Sequence, residues 1–383
     1  MKEQVNKNVS NMRVLMVTPS YYPIKGGAET VVRNLSIELN KMEVKTDILT
    51  FNMNRKWNPS WQAKIEKTDD INIFKIPALN WFPMEHPDRI TLGMNLIPGR
   101  FRNRLKKYDI IHFHGGDLTF PLFSYTVKKP KIFHSHGLSL DFYKRYFLSR
   151  LILKNIADLY ISISRNMQTK FIDLGIPKNK IRLLHNGIDA KTFHPSGKKI
   201  DNVVLFVGRI TYIKGLHILL ESLRYLKNKI HLVVIGPSDW NVEYFRKILV
   251  QMENENKKGI HKITYLGAQE QTNIIKWYQK ASVFVLPSFI EAFAVVNLEA
   301  LACETPVIAT NIGGLPEVIK HGKNGILIPP NNAIKLAETI QYLLDNKDVR
   351  VKFGREGRKF VVENFSYSVI TKKLRRIYEE MLI

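Results

Sequence analysis

Two glutamates eight positions apart, Glu291 and Glu299 in PSFIEAFAVVNLEALACETPVIAT, are the side chains best placed for chemistry in this 383-residue chain. The apolar run Val283 to Leu286 reads as a strand, Pro287-Ser288 as a turn, and the stretch beyond as a loop leading into a helix. Glu291 then lies in the loop at the strand's C-terminal end, and Glu299 on the first turns of the helix. In an open parallel α/β sheet that crevice is where ligands bind. Glu299 is flanked by Val295, Val296, Ala300, Leu301 and Ala302, and an acid in so apolar a stretch needs a partner or a ligand. A solvated loop glutamate plus a helix-surface glutamate is the competing reading.

A second group follows the strand Val203–Val207 in VGRITYIKGL. Arg209 leaves the strand's C-terminal end, and Lys214 with Gly215 begins the next helix. Two cations and a helix start at one crevice are what a diphosphate leaving group requires. Two surface charges are the alternative. Near the N-terminus, Gly26 and Gly27 precede a helix starting near Ala28. Glycine lets backbone approach a ligand closely, and a helix start offers unpaired N–H groups to an anion; many such pairs are simply turns.

The pairs His112/His114 and His134/His136 each end a strand. Alternate strand residues share a face, so H-x-H spacing can ligate a metal. No D-x-D pair or cysteine cluster supports one, so no metal is expected. Glycines after His114 and His136 suggest open backbone near a site, where a neutral His136 can hydrogen-bond a sugar or phosphate oxygen. His112 and His134 read as structural. The chain has no G-x-S-x-G elbow and no Walker G-x-x-x-x-G-K-[ST] run, against hydrolase, kinase and ATPase chemistry.

The elements that must position these residues alternate from end to end. Short β-branched runs (Val14–Thr18, Lys45–Thr50, Ile71–Ile76, Ile110–Phe113, Lys131–His134, Leu159–Ile163, Ile181–Leu184) are separated by helical periods starting near Ala28, Asp117, Tyr143 and Arg165. A second series runs Val203–Val207, Leu232–Ile235, Ile263–Leu266, Ser282–Leu286, Pro306–Ala309 and Gly325–Ile328. This is an α/β chain in which a parallel sheet covered on both faces occurs twice. The joint is placed in the polar HNGIDAKTFHPSGKKID (185–201), giving Rossmann-like domains at 1–195 and 196–365. A last helix, 366–383, is free to pack on either.

The one cysteine, Cys303, excludes an internal disulfide and reads as a small buried hydrophobe. No run of eighteen apolar residues occurs, and the polar first twelve residues lack the apolar core of a secretory signal, which predicts a cytoplasmic protein. The formal charge is +24, of which residues 1–200 carry +17 (33 basic, 16 acidic). The bias peaks between Arg89 and Lys154, where YKRYFLSRLILKN and RFRNRLKKY mix cations with apolar residues. A basic amphipathic helix reads as an anionic-membrane-surface binder, each cation contributing about 1 kcal/mol. An uninformative solvated face competes with that. Nucleic acid is not expected, since no recognition motif accompanies the charge.

Taken together, KGGAE, HSHG, HNGIDAKTFHP, VGRITYIKG and PSFIEAFAVVNLEALACETPVIATNIGGLPEVI, collinear over nearly the whole chain, resemble family 4 of the retaining glycosyltransferases. The resemblance implies the GT-B architecture, two Rossmann-like domains facing each other across a cleft. It implies transfer of a hexose from a nucleotide-diphosphate sugar, with retention and without cofactor or metal. Arg209 and Lys214 would grip the diphosphate, and Glu299 would hold the ribose hydroxyls. Glu291, with backbone amides near Phe293 and Ala294, would orient the sugar. Gly26 and Gly27 would belong to a loop closing on the phosphates, and His136 would lie near the donor sugar. The basic first half points to a lipid-linked or cell-envelope glycan acceptor at the inner membrane face. The alternatives are a nucleotide-sugar epimerase of this fold and a silent binding protein in a glycan-assembly complex. Ala292, Ala294 and Glu304 stand where the family has glycines, which leaves open whether the backbone there has positive φ.

Overall fold

The computed structural model describes residues 11–24, 26–54, 60, 62–77, 103–115, 124–125, 127–137, 147–238 and 241–383. The chain divides into two compact units, Met1–Asn186 with Tyr367–Ile383, and Gly187–Ser366. The boundary precedes residue 195 because the intervening segment is fastened to the second unit. Ile188 N–H donates to Phe365 O at 2.8 Å and Ile200 N–H to Lys280 O at 2.8 Å, while Phe193 is buried against Tyr278.

The first unit is built on β1 (Arg13–Val17), β2 (Lys45–Phe51), β3 (Lys64–Thr68), β4 (Ile71–Ile76), β5 (Ile110–His114), β6 (Lys131–Ser135), β7 (Leu159–Ser162) and β8 (Ile181–Leu183). Their order is β3-β4-β2-β1-β5-β6-β7-β8, parallel except for the β3–β4 pair. Strands β1, β5, β6 and β7 are almost wholly buried, as strands covered on both faces must be. The edge strand β3, KIEKT, has no place among the sequence expectations, because it is exposed and charged where the pattern sought apolar runs. Helix α1 (Gly27–Lys41) follows β1, and α2 (Phe147–Asn155) lies between β6 and β7. The helix expected near Asp117, and Arg89, Arg100, Arg102, Lys144 and Arg145 of the basic stretch, lie outside the described residues.

The second unit holds β9 (Val203–Val207), β10 (His231–Ile235), β11 (Lys262–Tyr265), β12 (Val283–Leu286), β13 (Val307–Thr310) and β14 (Gly325–Ile328). Their order, β11-β10-β9-β12-β13-β14, is the doubly wound 3-2-1-4-5-6 arrangement. The chain reverses its winding between β9 and β12, and that switch point is where such sheets open a crevice. Helix α3 (Val295–Ala302) follows β12.

The last helix, α4 (Tyr367–Leu382), returns to the first unit. Tyr367, Ile370, Leu374, Ile377 and Tyr378 form a helical stripe buried with Met12, Val14, Met16, Leu35 and Ile48 in one core.

Candidate functional site

In the second unit, β9 and β12 deliver the predicted charges to their C-terminal ends. Arg209 is half-buried two residues beyond β9, where Ile210 N–H donates to Pro237 O at 2.9 Å. Lys214 closes a single 3₁₀ turn, Tyr212–Lys214, and Gly215 starts the next helix with φ 70°. A Cβ at Gly215 would come 2.0 Å from Pro287 O, so only glycine lets this loop pack on the β12 turn. The consequence is that Lys214 reaches Glu291: Nζ donates to Oε2 in an ion pair whose side chains are only 15% and 11% exposed. Two residues assigned separate roles from the sequence are therefore one unit in the folded chain. Gly313, with φ 52°, fixes the other side of Glu291, since a Cβ there would meet Glu291 O at 1.8 Å.

Glu299 occupies the second turn of α3, and its Oε2 accepts a hydrogen bond from Tyr278 OH at 2.9 Å. Burial raises its pKa to about 7, against the opposing effect of the Tyr278 hydrogen bond. Tyr278 is fully buried. Its carbonyl and that of Cys303 each accept from Lys199 Nζ at 2.9 Å, and Thr305 Oγ1 is a third partner. Burial lowers Lys199 to about 8. This lysine pins the C-terminal end of α3 and the backbone of Tyr278 together, and so fixes Glu299 from both directions. Sequence reasoning missed Tyr278 and Lys199. Tyr278 lies in a helix (271–280) that also carries Ile274, Ile275 and Trp277, so nothing in the sequence marks it out, and Lys199 sits in the polar joint between the domains.

Phe293 and Ala294 are buried at the start of α3, with the Phe293 ring 5.9 Å from that of Phe365. Ala294 has φ −81°, and neither it nor Ala292 has positive φ, so both methyls are accommodated. Glu304 differs: its φ is 56°, a conformation that suits glycine. Near the same crevice Thr211 Oγ1 and Ser288 Oγ are buried without a hydrogen-bond partner among the described residues, as is the side-chain amide of Asn297 on α3. Unmet polar atoms of this kind call for water or a ligand.

The first unit places the remaining residues. Gly26 caps α1 with φ −150°, an extended conformation, so its glycine is explained by space: a Cβ would stand 2.4 Å from Glu29 Oε2. Glu29, also missed, folds beneath the loop, accepts from Ser20 Oγ, and is held above its ordinary pKa by burial. Among the described residues nothing lies within 4 Å of where a Gly27 side chain would be, leaving its backbone approachable. His136 Nε2 lies 3.1 Å from His114 Nδ1, and burial lowers His136 to about 4, so its imidazole is neutral at physiological pH.

Residues 25–192 match the profile of Glycosyltransferase Family 4, and residues 189–360 that of Glycosyl transferases group 1. An uncharacterized glycosyltransferase of Methanocaldococcus jannaschii is 26% identical over 96% of this chain and 98% of its own length. The capsular polysaccharide biosynthesis glycosyltransferase CapM of Staphylococcus aureus is 29% identical over 67% of this chain and 72% of its own. The Anabaena protein HepE, solved in complex with UDP, superposes with a TM-score of 0.76 over 96% of this chain and 100% of its own, at 19% identity. With the doubly wound sheets of both units, these matches make the chain a glycosyltransferase of family 4 with the GT-B architecture.

Proposed function

We propose that this chain is a retaining hexosyltransferase. It moves a hexose from a nucleotide-diphosphate sugar to a lipid-linked or cell-envelope glycan acceptor at the cytoplasmic face of a membrane. The observation that carries the chemistry is the Lys214–Glu291 pair, which joins the loop after β9, also bearing Arg209, to the loop after β12. As the sugar–phosphate bond breaks, negative charge grows on the diphosphate, and preorganised cations stabilise it most at that moment. Before donor binds, Glu291 compensates Lys214. On binding, Lys214 shares its protons with the phosphate oxygens while Glu291 orients the sugar hydroxyls, and Glu299 takes the ribose. Attack occurs on the face the diphosphate leaves, so the anomeric configuration is kept, with the departing phosphate accepting the acceptor's proton. The transfer step itself requires no cofactor or metal in this reading. That HepE was solved with UDP and that CapM is named for capsular polysaccharide biosynthesis supports the donor and acceptor classes.

The membrane part of the reading rests on α2. Its Ser149 and Leu153 face the core, which leaves Phe147, Leu148 and Leu151 exposed at 77%, 66% and 47%. Three adjacent exposed hydrophobics on a short helix suit an interface rather than bulk water. Arg150 is partly engaged, donating to Leu174 O at 2.9 Å, so the apolar side chains are the stronger feature here. Among the described residues no helix is long and apolar enough to cross a membrane.

A thermal-shift panel of nucleotide sugars tests the donor: one member should raise Tm by mass action. Lys214→Ala and Glu299→Ala should each abolish that rise. Full retention in both variants would overturn the site. Co-sedimentation should show binding to vesicles containing phosphatidylglycerol, weakened by Phe147→Ser/Leu151→Ser. Equal partitioning with and without the anionic lipid would remove the membrane from the reading.

A further inference from the structure

Three histidines of the first unit occupy one buried face that no step of the proposed transfer uses. His112 and His114 alternate along β5, and the β5–β6 register sets His114 directly opposite His134. All three therefore leave the same side of the sheet. They are 0%, 0% and 1% exposed, and one ring nitrogen from each lies within 4.8 Å of the others. Such burial demands partners, yet among the described residues His112 Nε2 and both nitrogens of His134 have none.

The partners that do exist are arranged as an outer shell. His112 Nδ1 lies 2.7 Å from Tyr378 OH of α4, and His114 Nδ1 lies 3.1 Å from His136 Nε2. Metal-ligating histidines characteristically hydrogen-bond through one nitrogen and ligate through the other. His114 Nε2 is 3.3 Å from the Met16 thioether, which offers a soft fourth neighbour. We propose that His112, His114 and His134 hold a divalent transition-metal ion, Zn²⁺ being the first choice for three imidazoles.

With Zn–N bonds of about 2.0–2.1 Å, tetrahedral ligand atoms stand roughly 3.4 Å apart. Binding must then draw the rings in from their present spacing. The ion's role would be structural: through Tyr378 it would tie α4 to β5, and through His114 it would fix the ring of His136. Its three ligands all belong to the first unit. The sequence led to no expected metal, because no D-x-D pair or cysteine cluster accompanies the two H-x-H pairs. The strand register that joins them was not in view.

Full-length protein, stripped with chelator, exposed to Zn²⁺ and gel-filtered, should retain about one zinc per chain and melt at a higher temperature than the stripped form. His134→Gln and His112→Gln/His134→Gln should lose both effects. The surface variant His194→Gln/His321→Gln should keep them. Co²⁺ in place of Zn²⁺ should give the visible ligand-field band of a four-coordinate nitrogen-rich site. Absence of retained zinc, or equal retention in His112→Gln/His134→Gln, overturns the proposal. If those variants fail to fold by circular dichroism, the Co²⁺ spectrum of the wild-type chain decides: a four-coordinate band supports the site, and no such band refutes it.

Discussion

In the second unit the ionisable side chains around the strand ends answer one another, although Thr211, Ser288 and Asn297 keep polar atoms without a partner among the described residues: Lys214 meets Glu291, Tyr278 donates to Glu299, and Lys199 caps carbonyls. In the first unit the strand ends carry four imidazoles, and His112, His134 and His136 each keep nitrogens unmet among the described residues. The stacked rings of His112 and His134, 5.4 Å apart and 12° from parallel, bring neutral groups together without joining them by hydrogen bonds. One site is therefore preformed and internally neutralised, ready to trade a partner for an anion. The other is neutral and unfinished. A charged pair held in low dielectric needs compensation before a ligand arrives, whereas neutral imidazoles tolerate burial but leave donors and acceptors waiting.

The largest effect should come from breaking the internal compensation. Lys214→Met removes a cation that the departing diphosphate needs and leaves Glu291 buried without its partner. We expect kcat to fall by about 10²–10³, the loss typical of removing one preorganised electrostatic donor. Glu291→Gln frees Lys214 from its carboxylate. It should bind nucleotide diphosphate at least as tightly as the parent while transferring sugar more slowly. Loss of nucleotide affinity in Glu291→Gln would show that the pair acts as a fixed structural bridge, and the contrast between the units would lose its meaning.

The next effect is in pH. Glu299 sits near 7 because burial disfavours its charge. Ribose hydroxyls donate to a carboxylate, so nucleotide affinity should rise roughly tenfold between pH 6 and pH 8, as the ionised fraction does for a group of pKa about 7. Titration calorimetry across that range checks it, and Glu299→Gln should flatten the profile. Tyr278→Phe deletes the hydrogen bond that favours the charged form. The midpoint should move to higher pH, with about 0.5–1.5 kcal/mol lost at pH 7. Stability follows the opposite sign. A carboxyl raised in the fold is destabilising once ionised, so its penalty is absent below the unfolded pKa and grows as pH rises through 7.

Much of this was legible beforehand. Every strand expected from the apolar runs exists, because parallel strands covered on both faces write themselves as continuous hydrophobic stretches. Arg209, Lys214, Glu291 and Glu299 could be singled out because each lies just beyond a strand end or on the helix that follows. What spacing could not give was pairing: that Lys214 closes on Glu291 depends on Gly215 letting one loop pack against Pro287. Tyr278 and Lys199 act through contacts 21 and 104 residues distant in sequence, to Glu299 and Cys303 respectively. Side chains recruited at that range leave no local pattern.

A smaller effect probes the first unit's loop. Gly26→Ala would press a methyl against the Glu29 carboxylate, which is buried and held by Ser20. Overpacking of that kind costs about 1 kcal/mol or somewhat more. Because the clash is with a side chain, Gly26→Ala/Glu29→Ala should cost less than the two single changes added together, measured by urea unfolding. Additive losses would place the strain in the backbone instead, contrary to the extended φ of −150°.

The smallest effect separates backbone strain from charge in the second unit. Glu304 follows α3 with φ 56°, where its N–H donates to Leu301 O at 3.0 Å and Thr305 N–H to Ala300 O at 2.9 Å, the bonds of a left-handed helix end. A side chain in that conformation costs about 1–2 kcal/mol, and glycine would recover this less about 0.5–1 kcal/mol of extra unfolded-state entropy. Glu304→Gly should therefore stabilise the chain by about 0.5–1 kcal/mol in urea unfolding. One term opposes the gain: Glu304 favours the charged form of buried Lys199. Glu304→Gln keeps the strain and removes that charge, so it isolates the opposing term. If Gln is neutral and Gly stabilises, the helix end is strained and the lysine rests on its carbonyl and hydroxyl acceptors alone. If both variants destabilise, the carboxylate is a working partner of Lys199, and internal neutralisation in this unit extends beyond the donor crevice to the helix that carries Glu299.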